Sequence, residues 1–382
     1  MLYRKLGKSG VDVSVLGFGC MRLPIVDGKP EQIDYALATE MLHYAIDNGV
    51  NYVDTAYFYH ATSMGQRGES EPFLGQALSG GWRERVNLAT KMPLGFCKEC
   101  ADMDRLLTEQ LGRLQTDYLD FYLLHGLNGA TWDRMKGLGV IEFLETAVAE
   151  GRILHPAFSF HGSAADFVRI CDEYDGWAFA QIQYNYTDTA FQAGYAGLRH
   201  AADKGMGVVV MEPLKGGKLA DGLPDVMRST FDDRPEGWSP AEWALRYVWN
   251  EPGVSLLLSG MSDMAQVEEN IAIAEHGLAG MLSDDQLGVY ETAAVALREK
   301  LKADCTRCRY CMPCPFGVDI PDVLAALNNA SMWDDPNPWL TGYLSVGGKA
   351  SLCTECGQCL TMCPQELPIP DLMKDAVATF GQ

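Results

Sequence analysis

Apolar runs alternate with amphipathic runs along the first 280 residues, and the alternation repeats eight times. The apolar runs are short, continuous and rich in β-branched and aromatic residues, a pattern typical of parallel strands that are buried on both faces. The amphipathic runs have helical spacing, as in Leu107, Leu111 and Leu114. We therefore predict eight strands, which begin at Val13, Asn51, Val86, Tyr118, Ile153, Phe179, Gly207 and Val254.

Eight strand–helix units in about 270 residues match the number and the size of a (β/α)8 TIM barrel. The alternative is a doubly wound open sheet, which normally carries G-x-G-x-x-G after its first strand. Here Gly17-Phe18-Gly19 stops short of that motif. The sequence thus favours an α/β fold with a TIM barrel over residues 1–282.

The last eighty residues contain two cysteine arrays, each followed at once by proline. Cysteines at Cys-x2-Cys-x2-Cys spacing bring three thiolates to one corner of a loop, and a fourth cysteine before a proline completes a cubane site. The pattern predicts two 4Fe-4S clusters. The proposed ligands are Cys305, Cys308, Cys311 and Cys314 in the first array and Cys353, Cys356, Cys359 and Cys363 in the second.

The fourth cysteine of each array in two-cluster ferredoxins binds the other cluster. By that rule Cys363 joins the first three cysteines of the first array, and Cys314 joins the first three of the second. The spacing leaves two alternatives, structural zinc sites and disulfides. Zinc needs only two Cys-x2-Cys pairs per ion, so it leaves the remaining cysteines and their prolines unexplained.

Each array is followed by a related segment, CPFGVDIPDVL after the first and CPQELPIPDLM after the second. The repeat indicates a duplicated half-unit, and the proline in each copy favours the start of a helix. We therefore expect a small, helical, ferredoxin-like two-cluster domain over residues 303–382. A capped amphipathic helix from Ser283 is expected to link it to the barrel over residues 283–302.

Composition and charge narrow the class of protein. The 382 residues, 47% of them apolar, allow one large domain and one small one. A net charge of -21 repels phosphate backbones, so nucleic acid and anionic membranes are poor partners. We find neither an apolar signal segment at the N-terminus nor a run with the length of a membrane helix. The sequence therefore predicts a cytoplasmic protein, in a compartment where thiols stay reduced.

A TIM barrel builds its active site at the C-terminal ends of its strands. Those predicted ends carry Asp54, Tyr59, Lys91 and His125. Each alone could be a helix cap, a rim aromatic, a surface charge or a packed histidine. Together they suit proton transfer, since Lys91 is expected to move the pKa of the Tyr59 hydroxyl toward the working range while Asp54 holds the lysine in place. His125 is expected to orient a carbonyl oxygen.

Several stretches resemble signatures of the aldo-keto reductase superfamily, among them LGFGCMRLP, NYVDTAYFYH, LGRLQTDYLDFYLLH and SGMSDMAQVEEN. The tail resembles the branch of that superfamily with a 4Fe-4S dicluster domain. The resemblance implies hydride transfer between NADP, or NAD, and a small carbonyl substrate, with Tyr59 as the proton donor. It also implies a cofactor site formed by Gly19, Met21, Asp54, Ser159, Gln181, Met211, Pro213, Leu214, Gly217, Gln266, Glu269 and Asn270.

Two places depart from the family pattern. Phe160 stands where many members have asparagine after the serine of the fifth strand. Ser262, Asp263 and Gln266 provide no basic side chain for the 2′-phosphate of NADP. The choice between NADP and NAD therefore stays open.

Two features near the predicted mouth of the barrel have no assigned role. Cys97 and Cys100 in the segment CKEC are either a redox pair or metal contact, or simply two reduced surface thiols. His60 and His161 could contact a substrate or cap backbone groups.

Three functions are compatible with these features. The first is a carbonyl reductase whose clusters conduct electrons or support structure. The second is an NAD(P)H-linked electron-transfer protein with an external redox partner, which needs a flavin or similar group to split a hydride into single electrons. The third is a non-catalytic nicotinamide-binding redox sensor, which has no need of a proton donor such as Tyr59.

Overall fold

A closed barrel of eight parallel strands is formed in the computed structural model, which describes residues 1–63, 65–232, 234–305 and 307–381. Each strand pairs with the next one along the chain, and the last pairs with the first. A short antiparallel hairpin of β1 and β2 precedes the barrel strands β3 to β10. The strands are β1 (Tyr3–Lys5), β2 (Asp12–Ser14), β3 (Leu16–Gly19), β4 (Tyr52–Asp54), β5 (Asn87–Met92), β6 (Leu119–Leu127), β7 (Ile153–Phe160), β8 (Phe179–Gln183), β9 (Gly207–Met211) and β10 (Leu256–Ser259).

The barrel confirms the predicted α/β class and the order of strands, but the first predicted strand is two elements. Ser14 pairs with Tyr3 in the hairpin, the chain bends at Val15, and Leu16 pairs with Leu257 in the barrel. Every residue from Val13 to Cys20 is buried, so the hydrophobic pattern carries no mark of the bend. The break depends on pairing with β1, which the hydrophobic pattern did not reveal.

Helices alternate with the barrel strands and continue into the C-terminal region. In α3, the predicted face is buried at Leu107 and Leu114, and the helix ends at Gln115 in the left-handed conformation. The helices are α1 (Tyr35–Asp47), α2 (Ser70–Ala77), α3 (Cys100–Leu114), α4 (Gly129–Gly137), α5 (Val140–Ala149), α6 (Ala164–Glu173), α7 (Gly194–Asp203), α8 (Asp225–Asp232), α9 (Pro240–Asn250), α10 (Met264–Ala274), α11 (Asp284–Arg298), α12 (Ile320–Met332), α13 (Asn337–Ser345), α14 (Gln358–Met362) and α15 (Ile369–Phe380).

The interior of the barrel is filled by side chains at the amino ends of the strands. The rings of Tyr52, Phe121 and Phe179 pack with centroids 5.3 to 6.3 Å apart. Leu6 and Val13 of the hairpin belong to the same buried cluster. The hairpin therefore closes the amino end, and the carboxyl ends of the strands are left for polar side chains.

The chain divides into two structural units, and the division differs from the predicted domains in one segment. Residues 217–240, which lie inside the predicted 1–282 domain, pack with residues 283–382 instead. In that unit the ring of Phe231 on α8 lies 6.3 Å from the ring of Tyr290 on α11, and Met227 is fully buried. The apolar face of this segment packs against a helix much later in the sequence, and this packing determines the unit to which the segment belongs.

The helical character of the tail is confirmed, and a helix, α11, is present where the linking segment was predicted. Ser283 and Gln286 cap α11 reciprocally, each side chain accepting a hydrogen bond from the backbone of the other. Helices α12 and α15 each carry proline in the first turn, as expected from the repeat. They pack on each other around a small core of their own, where the rings of Tyr343 and Phe380 stack 4.4 Å apart. In the part of the chain that is described, no helix combines the length and the apolar character needed to cross a bilayer.

Candidate active site and cysteine clusters

The four polar residues predicted at the carboxyl ends of the strands meet at one place. Asp54 ends β4, Lys91 lies near the end of β5, and Tyr59 follows β4 by five residues. The Lys91 Nζ atom donates hydrogen bonds to Asp54 Oδ1 at 2.6 Å, to the Thr55 carbonyl at 2.8 Å and to Tyr59 Oη at 3.2 Å. The ammonium group thus lies between a carboxylate and a phenol.

His125 joins this group because β6 is irregular at that point. The register of β6 against β7 shifts between Leu124 and Leu127, and Gly126 adopts a φ of 65°. A bulge of this kind redirects a side chain, and a positive φ favours glycine. The His125 ring lies edge-on to the Tyr59 ring, with centroids 6.2 Å apart. The bulge therefore places the histidine beside the hydroxyl.

Burial and the neighbouring groups act in opposite directions on the pKa of Lys91 and on that of Tyr59. Burial lowers the pKa of Lys91, but the adjacent Asp54 carboxylate and Tyr59 outweigh it and raise the pKa above its usual range. Burial raises the pKa of Tyr59, and the Lys91 charge only partly opposes that effect. The expected net shift of the Tyr59 pKa toward neutrality is therefore wrong for this structure, because desolvation is the larger effect. Tyr59 stays protonated at neutral pH, as a proton donor must.

The buried ion pair predicts a large stability effect. Asp54 and Lys91 have side chains that are 3% and 1% exposed. Asp54→Asn leaves the ammonium group without its counter-charge, so we expect a loss of about 3 to 5 kcal/mol in the free energy of unfolding. Urea unfolding at pH 7 measures the loss.

A matched control for this variant is Asp47→Asn. Asp47 also pairs with a basic side chain, Arg85, at 2.8 Å, but both partners are largely exposed. Exposed pairs contribute roughly 0 to 1 kcal/mol. Equal losses from Asp54→Asn and Asp47→Asn would contradict the role of burial at Lys91.

His125 predicts a pH dependence of stability. Burial, with the charges of Lys91 and His161, lowers the pKa of His125 from 6.5 to about 3. The unfolded chain therefore binds a proton below pH 6.5 that the folded chain does not accept until about pH 3, so stability is complete above 6.5 and falls as the pH drops.

His125→Gln removes this difference in proton binding, so we expect the free energy of unfolding to fall less steeply as the pH decreases. The change in slope should be less than about 1.4 kcal/mol per pH unit, the limit for one proton. Urea unfolding of both proteins at several values between pH 4 and 7 gives the two slopes. Parallel curves would show that His125 takes up its proton equally in both states.

The residues predicted to contact the nicotinamide lie around the same mouth. Gly19 ends β3, and Met21 follows it as an exposed side chain. The buried Ser159 hydroxyl accepts a hydrogen bond from the Gly126 backbone N–H at 2.9 Å. Gln181 is buried in the middle of β8, and its Oε1 finds no hydrogen-bond partner within the described residues. Phe160, the departure from the family pattern, is packed in the core, with its ring 5.1 Å from that of Phe167.

The other predicted cofactor residues fall into two groups. The Met211 sulfur accepts a contact from Gln181 Nε2 at 3.8 Å, Pro213 is buried and Leu214 is half-buried. Gly217 ends the short 3-10 turn Lys215–Gly217 and belongs to the other structural unit. The three remaining residues lie on one face of α10, which Asp263 caps: Gln266, Glu269 and Asn270.

A buried network behind Lys91 was missed by the sequence reasoning. Glu71 is fully buried, accepts hydrogen bonds from Thr90 and Gln110, and pairs with Arg113 at 2.9 Å. Gln110 also donates to the Lys91 carbonyl at 3.1 Å. The network fixes the backbone of β5 at Lys91. The sequence signal that could have revealed this network is the carboxylate of Glu71, which directly precedes the apolar residues Pro72 to Leu74.

The two histidines near the mouth differ in how their nitrogens are used. His60 Nε2 accepts from the Leu23 backbone N–H at 3.2 Å, and its Nδ1 donates to the Pro30 carbonyl at 2.8 Å. His60 therefore holds a loop. His161 Nδ1 meets the Gln192 side-chain amide at 3.2 Å.

Eight cysteines of the C-terminal unit line two cavities. The larger, of about 280 Å³, is lined by Cys314 and by Cys353, Cys356 and Cys359 of the second array, and Cys311 of the first array also reaches it. The smaller, of about 20 Å³, is lined by Cys363 and by three cysteines of the first array. Burial raises the pKa of Cys359 and of Cys311; the nearby thiols that raise it further are Cys353, Cys356 and Cys314 for Cys359, and Cys305, Cys308 and Cys363 for Cys311. The grouping is therefore crossed between the arrays, as the swapped rule predicts.

Each set has one cysteine at the surface. Cys308 and Cys356 are exposed, and the other six are half-buried. Within the described part of the chain, no three His, Cys, Asp or Glu side chains stand close enough to share one metal ion. In a cubane each of the four irons binds one thiolate. The four cysteines therefore surround a group larger than a single ion and need not lie close enough together to share one.

The CKEC pair has the character of ordinary thiols. Cys97 is buried, and burial raises the pKa of its thiol to about 11. Cys100 is exposed as the first residue of α3. A thiol with a raised pKa is a weak nucleophile, so the geometry favours two reduced cysteines.

Comparison with known proteins gives consistent matches. The profile of the Aldo/keto reductase family matches residues 15–285, and that of the 4Fe-4S dicluster domain matches residues 304–367. Protein tas of Escherichia coli is 28% identical over 348 residues, which cover 76% of this chain and 97% of that protein.

Two solved structures show the same architecture. An aldo-keto reductase from Bacillus halodurans in its holo form gives a TM-score of 0.63 at 27% identity, covering 78% of this chain and 97% of that one. An aldo-keto reductase from Klebsiella pneumoniae in complex with NADPH gives a TM-score of 0.58 at 25% identity, covering 76% and 95%.

Proposed function

Since this chain belongs to the aldo/keto reductase family, we propose that it transfers hydride between a nicotinamide cofactor and a carbonyl or alcohol substrate. The observation that carries this proposal is the Lys91 ammonium group, which bridges Asp54 and Tyr59 in a buried position. Such an arrangement stabilises a phenolate as it forms. It has no evident purpose in a protein that only binds nicotinamide.

In the reducing direction, Tyr59 gives its proton to the substrate oxygen. The carbonyl carbon gains a hydride, the oxygen gains the proton, and the product is an alcohol. Lys91, 3.2 Å from Tyr59 Oη, then lies beside the new phenolate, while Asp54 and the Thr55 carbonyl keep the ammonium in place. General acid catalysis of this kind contributes roughly 10²- to 10⁴-fold in rate.

His125 provides the second contact to the substrate oxygen. Its lowered pKa, about 3, keeps the ring neutral at pH 7. Nδ1 is buried without a partner in the described structure, although the residue retains partial exposure. We infer that the proton resides on Nε2, the nitrogen that can donate to a carbonyl oxygen in the mouth.

The residues of the mouth fit a nicotinamide. The orphaned Gln181 Oε1 and the buried Ser159 hydroxyl are suited to a carboxamide, which offers both a donor and an acceptor. The nicotinamide supplies the hydride when bound. NADPH is the first choice because it is bound in the Klebsiella pneumoniae relative, and α10 would face its adenosine end through Gln266, Glu269 and Asn270.

We propose further that the 4Fe-4S dicluster domain holds two clusters. Cys305, Cys308, Cys311 and Cys363 would bind one, and Cys353, Cys356, Cys359 and Cys314 would bind the other. Reduced thiols are required for both, which suits the cytoplasm.

An electron-transfer function with an external redox partner is the second candidate. The observation that favours it is the exposure of one cysteine in each set, which would bring each cluster close to solvent. A hydride carries two electrons and a cluster accepts one, so direct exchange would need a splitting group such as a flavin. Reduction of carbonyls by the barrel alone needs no such group.

An anaerobic assay separates the two candidates. NADPH and NADH oxidation is measured against a panel of aldehydes and ketones, with cluster-loaded protein and with protein depleted of iron but still folded by circular dichroism. We expect carbonyl-dependent oxidation in both preparations. Oxidation that requires the clusters and an artificial one-electron acceptor, but no carbonyl, would overturn the reductase proposal.

A further inference from the structure

We propose that His161, positioned by Gln192, is a hydrogen-bond donor that selects carbonyl substrates with a hydroxyl group next to the reacting carbon. This inference deepens the proposed reductase function and rests on it. His161 directly follows β7, whereas Gln192 lies in the loop between β8 and α7, and neither was assigned a role by the sequence.

The first step is the placement of His161. It directly follows β7, and its backbone N–H donates to the Leu127 carbonyl at 2.9 Å. Its Cδ2 atom would lie 3.9 Å from a Cβ built on Gly126, the residue of the bulge. The ring therefore stands over the segment that positions His125, and it is exposed at the mouth.

The second step is the restraint that Gln192 places on the ring. The Gln192 side-chain N–H donates to His161 Nδ1 at 3.2 Å, and this leaves the ring proton on Nε2. Gln192 has a φ of 56°, which is rare for a residue other than glycine, and its Oε1 is buried with no hydrogen-bond partner in the described structure. Strain and an unpaired acceptor both cost free energy, and such features concentrate at functional sites.

The third step is the contrast with the other neighbours of His125. The Phe58 ring lies 6.0 Å from that of His125, and Phe96 lies 5.7 Å from Phe58 and is partly exposed. These rings provide apolar contact for any carbon chain. His60, the other nearby histidine, uses both nitrogens on backbone groups. His161 is thus the histidine of this pair with a nitrogen left to offer to a substrate.

The chemistry of the donor defines the substrate class. Although His161 is exposed, partial desolvation by the surrounding chain lowers the pKa of its ring, so the ring is neutral at pH 7 and offers a hydrogen bond without a charge. A neutral donor suits a hydroxyl oxygen and gives a carboxylate no ion pair. The mouth therefore fits hydroxylated aldehydes and ketones better than their deoxy or acidic counterparts.

The test compares 2-hydroxypropanal with propanal, which differ only in the hydroxyl group. The full-length, cluster-loaded protein is assayed anaerobically with NADPH as wild type, as His161→Leu and as Gln192→Leu. His200→Leu, on the outer helix α7, is the matched control. We expect the wild type and the control to prefer 2-hydroxypropanal in kcat/KM by about 3- to 10-fold, the value of one neutral hydrogen bond.

In His161→Leu the preference should fall to about one, because the KM for 2-hydroxypropanal rises by more than the KM for propanal. Gln192→Leu should lose at least half of the preference. An equal loss for both substrates would show that His161 is only structural and would overturn the inference, as would a preference that survives in His161→Leu. Turnover of neither compound by the wild type would overturn the reductase proposal itself, and the inference with it.

Discussion

Replacing Tyr59 with phenylalanine is expected to lower kcat for carbonyl reduction by about 10²- to 10⁴-fold, while the affinity for NADPH changes less than about twofold. The variant removes the hydroxyl that lies 3.2 Å from Lys91 Nζ and keeps the ring that packs beside it. Since the proton donor acts only in the chemical step, the loss should appear in kcat. Steady-state kinetics and NADPH fluorescence titration measure the two quantities.

Tyr57→Phe is the matched control, because it removes a neighbouring tyrosine hydroxyl that bonds to Glu109 at 3.3 Å instead of to Lys91. It should retain wild-type turnover. Undiminished kcat in Tyr59→Phe would exclude this residue as the proton donor. Equal losses in both variants would point to a structural effect of the hydroxyls.

Anaerobically purified protein is expected to contain about eight irons per chain, four from each cubane. The crossed cysteine sets then make a sharper prediction. Cys305 and Cys363 line the same cavity although they belong to different arrays, whereas Cys353 lines the other cavity. Replacing two cysteines that bind the same cluster should therefore release no more iron than replacing one of them, because only one cluster is lost in either case.

Double variants test this grouping directly. Cys305→Ser with Cys363→Ser should retain about four irons, whereas Cys353→Ser with Cys363→Ser should retain close to none. Iron analysis and the electron paramagnetic resonance spectrum of the reduced protein follow both clusters. Zinc in place of iron, or about four irons in the wild type, would contradict the two-cluster assignment. The opposite ranking of the two double variants would refute the crossed sets.

Much of the candidate active site could be predicted, because in a barrel the order of strands along the chain determines which strand ends are neighbours. Asp54 and Lys91 sit at the ends of neighbouring strands, and strand ends could be read from continuous apolar runs. Three cysteines of each set were predictable from their spacing within one short loop. The fourth, from the other array, was predicted from the rule for two-cluster ferredoxins and not from local sequence.

The features that were missed depend on partners far apart in the sequence or on a balance of opposed energies. The bulge at Gly126 requires a register shift between two strands, and Gln192 meets His161 across 31 residues. The raised pKa of Tyr59 is the result of burial competing with Lys91, and a motif carries no information about burial. Pattern and spacing give the groups in a site but not their surroundings.

The packing of residues 217–240 with the C-terminal unit has a consequence for biosynthesis. Helix α8 leaves the ribosome while α11, against which Phe231 packs, has yet to be made. Domains made early in a chain generally fold before later ones. In this segment, however, Met227 and Phe231 stay uncovered until the C-terminal unit has been translated. A gene cut at residue 282 would leave that apolar face permanently without its cover, so the iron-binding end cannot be removed as a simple tail.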